Sequence, residues 1–193
     1  MNPQMRTAAM CLFLVTGTAA ALSAPGCSAP PDRASLRTVA PASDAQRTLL
    51  IDRIKALAGE WEMVDNSPVP LPPGAHAATF TVSSNGSVVR EIMFPGEDYE
   101  MTNIYHMDGP DLVMTHYCAV GNQPRLRAVA ATPDGPIFFD TDSVTNLASP
   151  DDHYMGQMPL EILTPDRIRQ TWRSYVGGKL AEDHAVFDLQ RRK

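Results

Sequence analysis

Apolar and polar residues alternate with a period of two from residue 60 to the end of the chain. This period is typical of strands that bury one face, and turn residues interrupt it about every 8 to 15 residues. The pattern predicts about ten strands, at residues 60–65, 77–84, 87–94, 99–107, 111–119, 125–131, 136–144, 153–163, 167–175 and 180–190. Because successive hairpins can close on themselves, we expect an all-β fold, a single antiparallel up-and-down barrel.

One short helix is expected before the first strand. Residues 43–46, Ser-Asp-Ala-Gln, have the pattern of a capping box, which satisfies free N–H groups at the start of a helix. Apolar residues then recur at helical spacing up to Gly59, namely Leu49, Leu50, Ile54 and Leu57.

Asn85-Gly86 is the strongest turn signal in the chain, and it sets the facing of the strands on either side. A two-residue turn there places Glu91 on the same face as four apolar residues: Phe80, Val82, Val89 and Met93. A carboxylate on an apolar face predicts a polar contact inside the barrel, to Arg127, Tyr117 or a bound ligand. The alternative is a bulge that turns Glu91 to solvent.

Residues 1–26 have the features of an export signal. A short positive segment, residues 1–6, precedes an uncharged apolar run from 7 to 24 that is rich in small residues. The following Pro-Gly-Cys27 completes a segment that resembles the bacterial lipobox, in which the cysteine becomes the lipidated first residue. We therefore expect an exported, membrane-anchored lipoprotein of the bacterial cell envelope, facing the periplasm or the exterior. Ordinary cleavage near residues 21–24 is the alternative.

The remaining chain divides into a disordered tether rich in Pro, Ala and Ser, residues 27–45, and a barrel domain, residues 46–193. Removal of the signal takes away one of the 16 basic residues and none of the 22 acidic ones, so the mature net charge is −7. This balance argues against nucleic-acid binding, and we expect contact with a membrane only through the lipid anchor. The sequence indicates no particular protein partner.

The three cysteines are expected to have separate fates. Cys11 leaves with the signal, Cys27 carries the lipid, and Cys118 is then left without a partner for an intrachain disulfide. Cys118 either packs as a small apolar side chain or belongs to a site.

Residues 105–125 concentrate the side chains that could form a site: two of the five histidines, Cys118 and an amide-rich turn. We expect Asn122, Gln123 and Arg125 to supply donors at the mouth of the barrel that orient a polar ligand head, unless the amides only complete a turn. The candidate ligand-binding residues are Glu91, His106, His116, Tyr117, Cys118, Asn122, Gln123, Arg125, His153 and Trp172.

The spacing of His106 and His116 limits what they can do together. If Met107 pairs with Asp111, the two imidazoles share a face but lie roughly 13 Å apart along the strand. A register shifted by one residue places them on opposite faces. Neither pairing lets the two histidines share a zinc ion easily.

Metal, haem and thiol chemistry are the alternatives to simple binding. His116 could meet His153 and an aspartate across the barrel and hold a transition metal. A haem-binding barrel that resembles nitrobindin would need a proximal histidine near the C-terminus, for which His184 is the candidate. Pairing around Gly177-Gly178 turns His184 to water. Cys118 and His116 project to one face about 7 Å apart, which prevents the direct contact that a thiol enzyme needs.

A helix followed by Gly59-Glu60-Trp61, with Arg191 and Arg192 at the end of the last strand, resembles the calycin superfamily of lipocalins, fatty-acid-binding proteins and nitrobindin-like barrels. The resemblance implies that Trp61 closes one end of the barrel and that an arginine of the last strand packs over its ring.

A second resemblance covers most of residues 50–193. Residues 105–125, with Asn146-Leu147 and Trp172, are similar to uncharacterised exported bacterial proteins of lipocalin-like type, which brings no established activity. A Pro-rich insertion from Pro68 to Gly74 departs from the simplest lipocalin spacing.

The leading prediction is a non-catalytic barrel without a cofactor that binds a small apolar or amphipathic molecule in its interior. One alternative is a metal- or haem-binding protein, or an enzyme, that uses His116, His153 and Cys118 at the barrel cavity. The other is a structural scaffold of the cell envelope.

Overall fold

The computed structural model describes residues 36–64 and 71–193. The helices and strands given below all lie in one compact unit, Thr38–Lys193. The predicted export signal, Cys27 and most of the predicted tether fall outside the described residues. In the described ranges, no helix is long and apolar enough to cross a membrane.

Ten antiparallel strands form a closed barrel in which each strand pairs with its neighbours in sequence and the first pairs with the last. The predicted all-β up-and-down barrel is confirmed, and each predicted strand agrees with an observed one to within two residues at either end. The elements are α1 Asp44–Leu49, α2 Ile51–Lys55, β1 Gly59–Met63, β2 His76–Ser83, β3 Val88–Met93, β4 Met101–Asp108, β5 Asp111–Tyr117, β6 Gln123–Ala131, β7 Ile137–Thr145, β8 Tyr154–Thr164, β9 Arg167–Val176 and β10 Lys179–Arg191.

The predicted single helix is two short ones. The capping box is present, since the Ser43 hydroxyl accepts from the Gln46 N–H and the Gln46 side chain accepts from the Ser43 N–H. Leu50 then leaves the helical region at φ −115° and ψ −86°, which ends α1. Leu50, Ile51 and Ile54 are all buried and belong to the apolar core.

Because successive strands alternate in direction, the barrel has two distinct ends. The loops after β2, β4, β6 and β8 lie at the end with α1 and α2, which we call the helix end. The loops after β1, β3, β5, β7 and β9 lie at the opposite end, which we call the loop end. At the helix end, Arg53 joins α2 to the β6–β7 turn by donating to the carbonyls of Thr132 at 2.9 Å and Gly135 at 2.7 Å.

Trp61 and Arg191 close the helix end. The guanidinium carbon of Arg191 lies 4.5 Å from the centre of the Trp61 ring, which is itself fully buried. Arg191 also donates to the carbonyls of Ala56 at 3.0 Å and Ala58 at 2.7 Å, and Trp61 Nε1 donates to Leu57 at 2.8 Å. This is the contact that the calycin resemblance implies, and the architecture is compatible with a calycin-like fold.

The two predicted hairpin registers have different outcomes. Around Asn85-Gly86 the prediction is confirmed, because Glu91 pairs with Phe80 on the inner face. The pairing of Met107 with Asp111 is wrong: Asp108 pairs with Asp111 across a two-residue turn. Gly109 makes the tighter turn possible, since its φ of +63° is a conformation that glycine adopts without strain.

This shorter turn shifts the β4–β5 register by one residue. His106 therefore pairs with Val113 and His116 with Asn103, which places the two histidines on opposite faces of the sheet. His116 is buried in the barrel, whereas His106 is partly exposed.

A bulge in β10 changes the pairing of His184 but not its direction. The pairs next to Gly177-Gly178 are as predicted, and the register then shifts between Leu180 and His184, so that His184 pairs with Arg173 in place of Thr171. A shift of two residues keeps the same face. His184 is exposed, as predicted.

Candidate functional site

Glu91 lies at the centre of a hydrogen-bond network inside the barrel. Its side chain is fully buried. One carboxylate oxygen, Oε1, accepts from Gln170 Nε2 at 2.7 Å. The other, Oε2, accepts from Asn103 Nδ2 and from the Tyr105 hydroxyl, each at 2.7 Å. The predicted polar contact inside the barrel is confirmed, and it joins β3 to β4 and, across the barrel, to β9.

The predicted partners of Glu91 are wrong. Tyr117 is 50 % exposed, and Arg127 binds Asp108, Asp111 and Asp142 at distances of 2.8 to 3.4 Å. The register set by the shorter β4–β5 turn places Tyr117 on an outward-facing position of β5, and the pairing of β5 with β6 places Arg127 on the same side.

The donors around Glu91 suit a charged carboxylate. Trp172 Nε1, which can only donate, bonds to Gln170 Oε1 at 3.3 Å and so turns the Gln170 amide nitrogen toward Glu91. Burial raises the pKa of Glu91 above its ordinary value, and the hydrogen bonds from Asn103, Tyr105 and Gln170 oppose that rise. Burial, and then the charge of Glu91, raise the pKa of Tyr105 well above its ordinary value, so Tyr105 stays protonated and remains a donor.

His116 extends the network toward the loop end. Its Nδ1 lies 2.7 Å from Asn103 Oδ1, and the Asn103 amide nitrogen is already turned to Glu91. Asn103 Oδ1 can only accept, so the proton must be on His116 Nδ1, and Nε2 is the unprotonated nitrogen. The imidazole packs against Trp172 with ring centres 4.8 Å apart. Burial lowers the pKa of His116 to about 4, which keeps the ring neutral at pH 7.

Two buried acceptors remain without a hydrogen-bond partner among the residues that the structure describes: His116 Nε2 and Asn122 Oδ1. Both residues are at most 5 % exposed. Asn122 Nδ2 donates to the backbone carbonyl of His153 at 2.8 Å, which fixes Oδ1 as the unpaired atom. Buried polar atoms are nearly always paired, so each of these two atoms calls for a partner beyond the described protein atoms, such as an ordered water or a bound group.

The other predicted residues near this position differ in their surroundings. The Cys118 N–H donates to the Asn122 carbonyl at 3.2 Å just beyond β5, and burial raises the pKa of its half-buried thiol. Gln123 holds the turn together, donating to the Gly121 carbonyl at 2.8 Å and accepting from the Thr145 hydroxyl at 2.9 Å. The imidazole of His153 is exposed.

Arg125 and His106 lie on the outer face. Arg125 donates to Asp108 and to Asp142, each at 3.1 Å, and joins the same ion-pair cluster as Arg127. Burial, and then the charge of Arg125, lower the pKa of His106. The structure therefore brings together Glu91, His116 and Trp172 inside the barrel, places Asn122 beside them at the loop end, and separates Arg125 and His106 from them.

Sequence reasoning did not include Asn103, Tyr105 and Gln170 among the site residues. Glu91 was found as a polar residue on an apolar strand face, and Gln170 has the same pattern. It lies between Ile168 and Trp172 on the inward-facing side of β9. Asn103 and Tyr105 could be placed inside only with the correct β4–β5 register.

The rest of the barrel interior is filled by large apolar side chains. Each of the following residues is at most 2 % exposed: Phe80, Val89, Leu112, Met114, Leu126, Ile137, Phe139, Met158, Leu160 and Ile168. In the part of the chain that the structure covers, no three His, Cys, Asp or Glu side chains are grouped so as to hold a metal ion.

Comparison of the sequence with known protein families and with curated proteins finds no match. The function is therefore inferred from the geometry of the barrel.

The substitution Glu91→Gln is expected to lower the free energy of unfolding by about 1–3 kcal/mol, because the new amide nitrogen faces a donor and leaves it unpaired. Urea denaturation at pH 7 measures the change. Glu182→Gln, at an exposed position of β10, is the matched control and is expected to change the value by less than about 0.5 kcal/mol. Equal effects of the two substitutions would contradict the role given to Glu91.

The stability of the protein is expected to depend on pH through His116. Its pKa is lowered from 6.5 to about 4, so between these values the unfolded chain binds a proton that the folded chain does not. The free energy of unfolding therefore falls as the pH falls from 6.5 to 4, by up to about 3 kcal/mol from this residue. The raised pKa of Glu91 has the opposite effect on the free energy of unfolding. The variant His116→Gln keeps Glu91, so a comparison of this variant with the wild type isolates the effect of His116.

Urea denaturation of the wild type and His116→Gln across this pH range tests the expectation. The glutamine can still donate to Asn103 Oδ1 but does not titrate. As the pH falls from 6.5 to 4, the free energy of unfolding of the wild type should fall relative to that of His116→Gln. Parallel curves would show that His116 is not held neutral by the fold.

Proposed function

We propose that this barrel is a non-catalytic binding protein for a small molecule, which is held at the loop end against His116 Nε2. The observation that carries the proposal is the orientation of this nitrogen. The bonds from His116 to Asn103, and from Asn103 to Glu91, hold Nε2 unprotonated and buried without a partner among the described residues. Leaving such an acceptor unpaired costs about 1–3 kcal/mol, which a donor on a ligand removes.

The surroundings of His116 favour a small amphipathic ligand. Trp172 supplies an aromatic face beside the imidazole, and Asn122 supplies a second polar atom. The ligand is small because large apolar side chains occupy the barrel below this position. Such a site pairs a few polar groups with apolar walls, as small-molecule sites commonly do.

Binding without catalysis is supported by the state of Cys118. The thiolate is the reactive form of cysteine, and burial raises the pKa of this thiol. His116 does not activate it, because no hydrogen bond joins the thiol to His116 Nε2, the ring nitrogen that could take its proton.

We further propose that the protein is an exported, calycin-type lipoprotein anchored through Cys27 and facing the periplasm or the exterior. The lipobox-like segment before Cys27 and the Trp61–Arg191 contact of the barrel support this. A diacyl chain would supply the membrane affinity.

Expression of the full chain in a bacterial host tests the anchor. The mature protein should fractionate with membranes, with a lipid mass on an N-terminal Cys27. Cys27→Ser should be soluble after export or remain uncleaved. A wild-type protein with an unmodified N-terminus near residues 21–24 would contradict lipidation.

Ligand binding is tested by native mass spectrometry of the exported protein purified from its host. The wild type should retain one equivalent of a low-mass molecule, and His116→Phe should retain about tenfold less, because the ring has no acceptor. His153→Phe, which changes an exposed imidazole, is the control and should retain the molecule. Equal retention by His116→Phe, or no retained mass on the wild type, would contradict the proposal.

A further inference from the structure

Two adjoining clefts lie at the helix end of the barrel. The first, of about 530 Å³, lies between α2 and the β6–β7 and β8–β9 turns. The second, of about 580 Å³, lies between α1 and the β6–β7 turn. Arg53 and Pro133 line both clefts, so the two meet at the Arg53 side chain and form one feature, which we call the helix-end groove. Each cleft has the size that is common for small-molecule sites.

The guanidinium of Arg53 is fixed in place but not neutralised. Its two terminal nitrogens donate to the carbonyls of Thr132 and Gly135, which uses two of its five N–H groups. Burial lowers the pKa of Arg53, and the charge of Asp134 opposes this change. None of the carboxylates that the structure describes forms an ion pair with Arg53, and its three other N–H groups remain for an anion.

The other charges of the helix-end groove limit the ligand to one negative charge. Arg191, the second cation of the first cleft, already binds Asp166 at 3.0 Å and donates to the Ala58 carbonyl at 2.7 Å. Asp134 is exposed in the same cleft and would repel a second negative charge. Of the cations that line the groove, Arg53 is therefore the one available to a ligand, and it suits a single anionic group.

The second cleft supplies an apolar wall beside this cation. Ala45, Leu49 and Pro133 line it together with Thr48 and Arg53, and none of its lining residues is a carboxylate. Leu49 also packs against the apolar core, so the core supports this wall. An apolar chain that extends from Arg53 into the second cleft would cover these side chains and avoid the carboxylates, which line the first cleft.

We propose that the helix-end groove binds one small molecule that carries a single carboxylate and an apolar chain. The carboxylate accepts from the free N–H groups of Arg53, and the chain lies in the second cleft against Leu49 and Pro133. A guanidinium suits a carboxylate because its planar N–H groups can donate two parallel hydrogen bonds. The helix-end groove is at the opposite end of the barrel from His116, so this inference does not depend on the function proposed for the loop end.

Four probes with eight carbon atoms test the inference: octanoate, octanol, octylammonium and octanedioate. Each is titrated at pH 7 into the full mature protein labelled with ¹³C in the leucine methyl groups, and the resonances of Leu49 are followed. Octanoate should move these resonances and bind about tenfold more tightly than octanol, the value of a charge-assisted hydrogen bond. Octylammonium and octanedioate should bind more weakly than octanoate, because Arg53 repels the ammonium and Asp134 repels the second carboxylate.

Substitutions of the two charged residues test the recognition of the carboxylate. Arg53→Gln should reduce the preference for octanoate over octanol to about onefold, because the anion loses its partner. Arg90→Gln, at an exposed position of β3, is the matched control and should leave the preference unchanged. Asp134→Asn removes the neighbouring negative charge and should tighten octanoate binding about twofold, so it serves if Arg53→Gln does not fold.

Two further substitutions test where the molecule lies. Thr48→Trp fills the second cleft and should weaken octanoate binding about fivefold, because the chain has less apolar surface to cover. Thr81→Trp, at an exposed position of β2, is its control and should bind octanoate as the wild type does. His116→Phe should also leave octanoate binding unchanged, which separates the helix-end groove from the loop end.

The inference is overturned if octanol or octylammonium binds as tightly as octanoate, if no probe moves the Leu49 resonances, or if Arg53→Gln keeps the wild-type preference. Unchanged binding in Thr48→Trp would contradict the position of the chain, and loss of octanoate binding in His116→Phe would place the molecule at the loop end. Phosphatidylglycerol vesicles that bind the wild type but not Arg53→Gln, with no binding of free octanoate, would assign the groove to a membrane surface instead.

Discussion

The burial of one carboxylate inside the barrel is the constraint on which the interior depends. Removing Glu91 from water is costly, and it is tolerated because three donors from two other strands reach its oxygens at 2.7 Å. Gln170 comes from the opposite wall, so the same bonds that satisfy Glu91 also hold β3 and β9 together across the interior. Trp172 orients Gln170, and His116 orients Asn103, so the chain of bonds through Asn103 ends at His116 Nε2.

The two ends of the barrel differ in a way that follows from this arrangement. At the helix end, the polar atoms of Trp61 and Arg191 bond to backbone carbonyls, and the aromatic ring and the guanidinium cover each other. At the loop end, His116 and Asn122 each present an acceptor that no described residue fills. At one end the polar groups of Trp61 and Arg191 are therefore paired within the protein, and at the other two buried acceptors are not.

Much of the fold could be predicted from the sequence because alternation with a period of two is a local property, and so are turns such as Asn85-Gly86. That turn was sufficient to place Glu91 inside. The turn at Gly109-Pro110 was harder, since two-residue and three-residue loops both fit the sequence and only the backbone conformation of Gly109 distinguishes them. That single residue decided the facing of His106 and His116. The bond between Glu91 and Gln170 could not be predicted, because residues 79 positions apart meet only through closure of the barrel.

The network built on Glu91 holds His116 as a neutral ring with its proton on Nδ1. The most direct measurement is a long-range ¹H–¹⁵N correlation spectrum of the histidine side chains at pH 7 without added ligand. A proton on His116 Nδ1 and an unprotonated Nε2 are predicted, with the same pattern lost or averaged in Asn103→Leu. A proton on Nε2, or a doubly protonated ring, would contradict this assignment of the His116 proton.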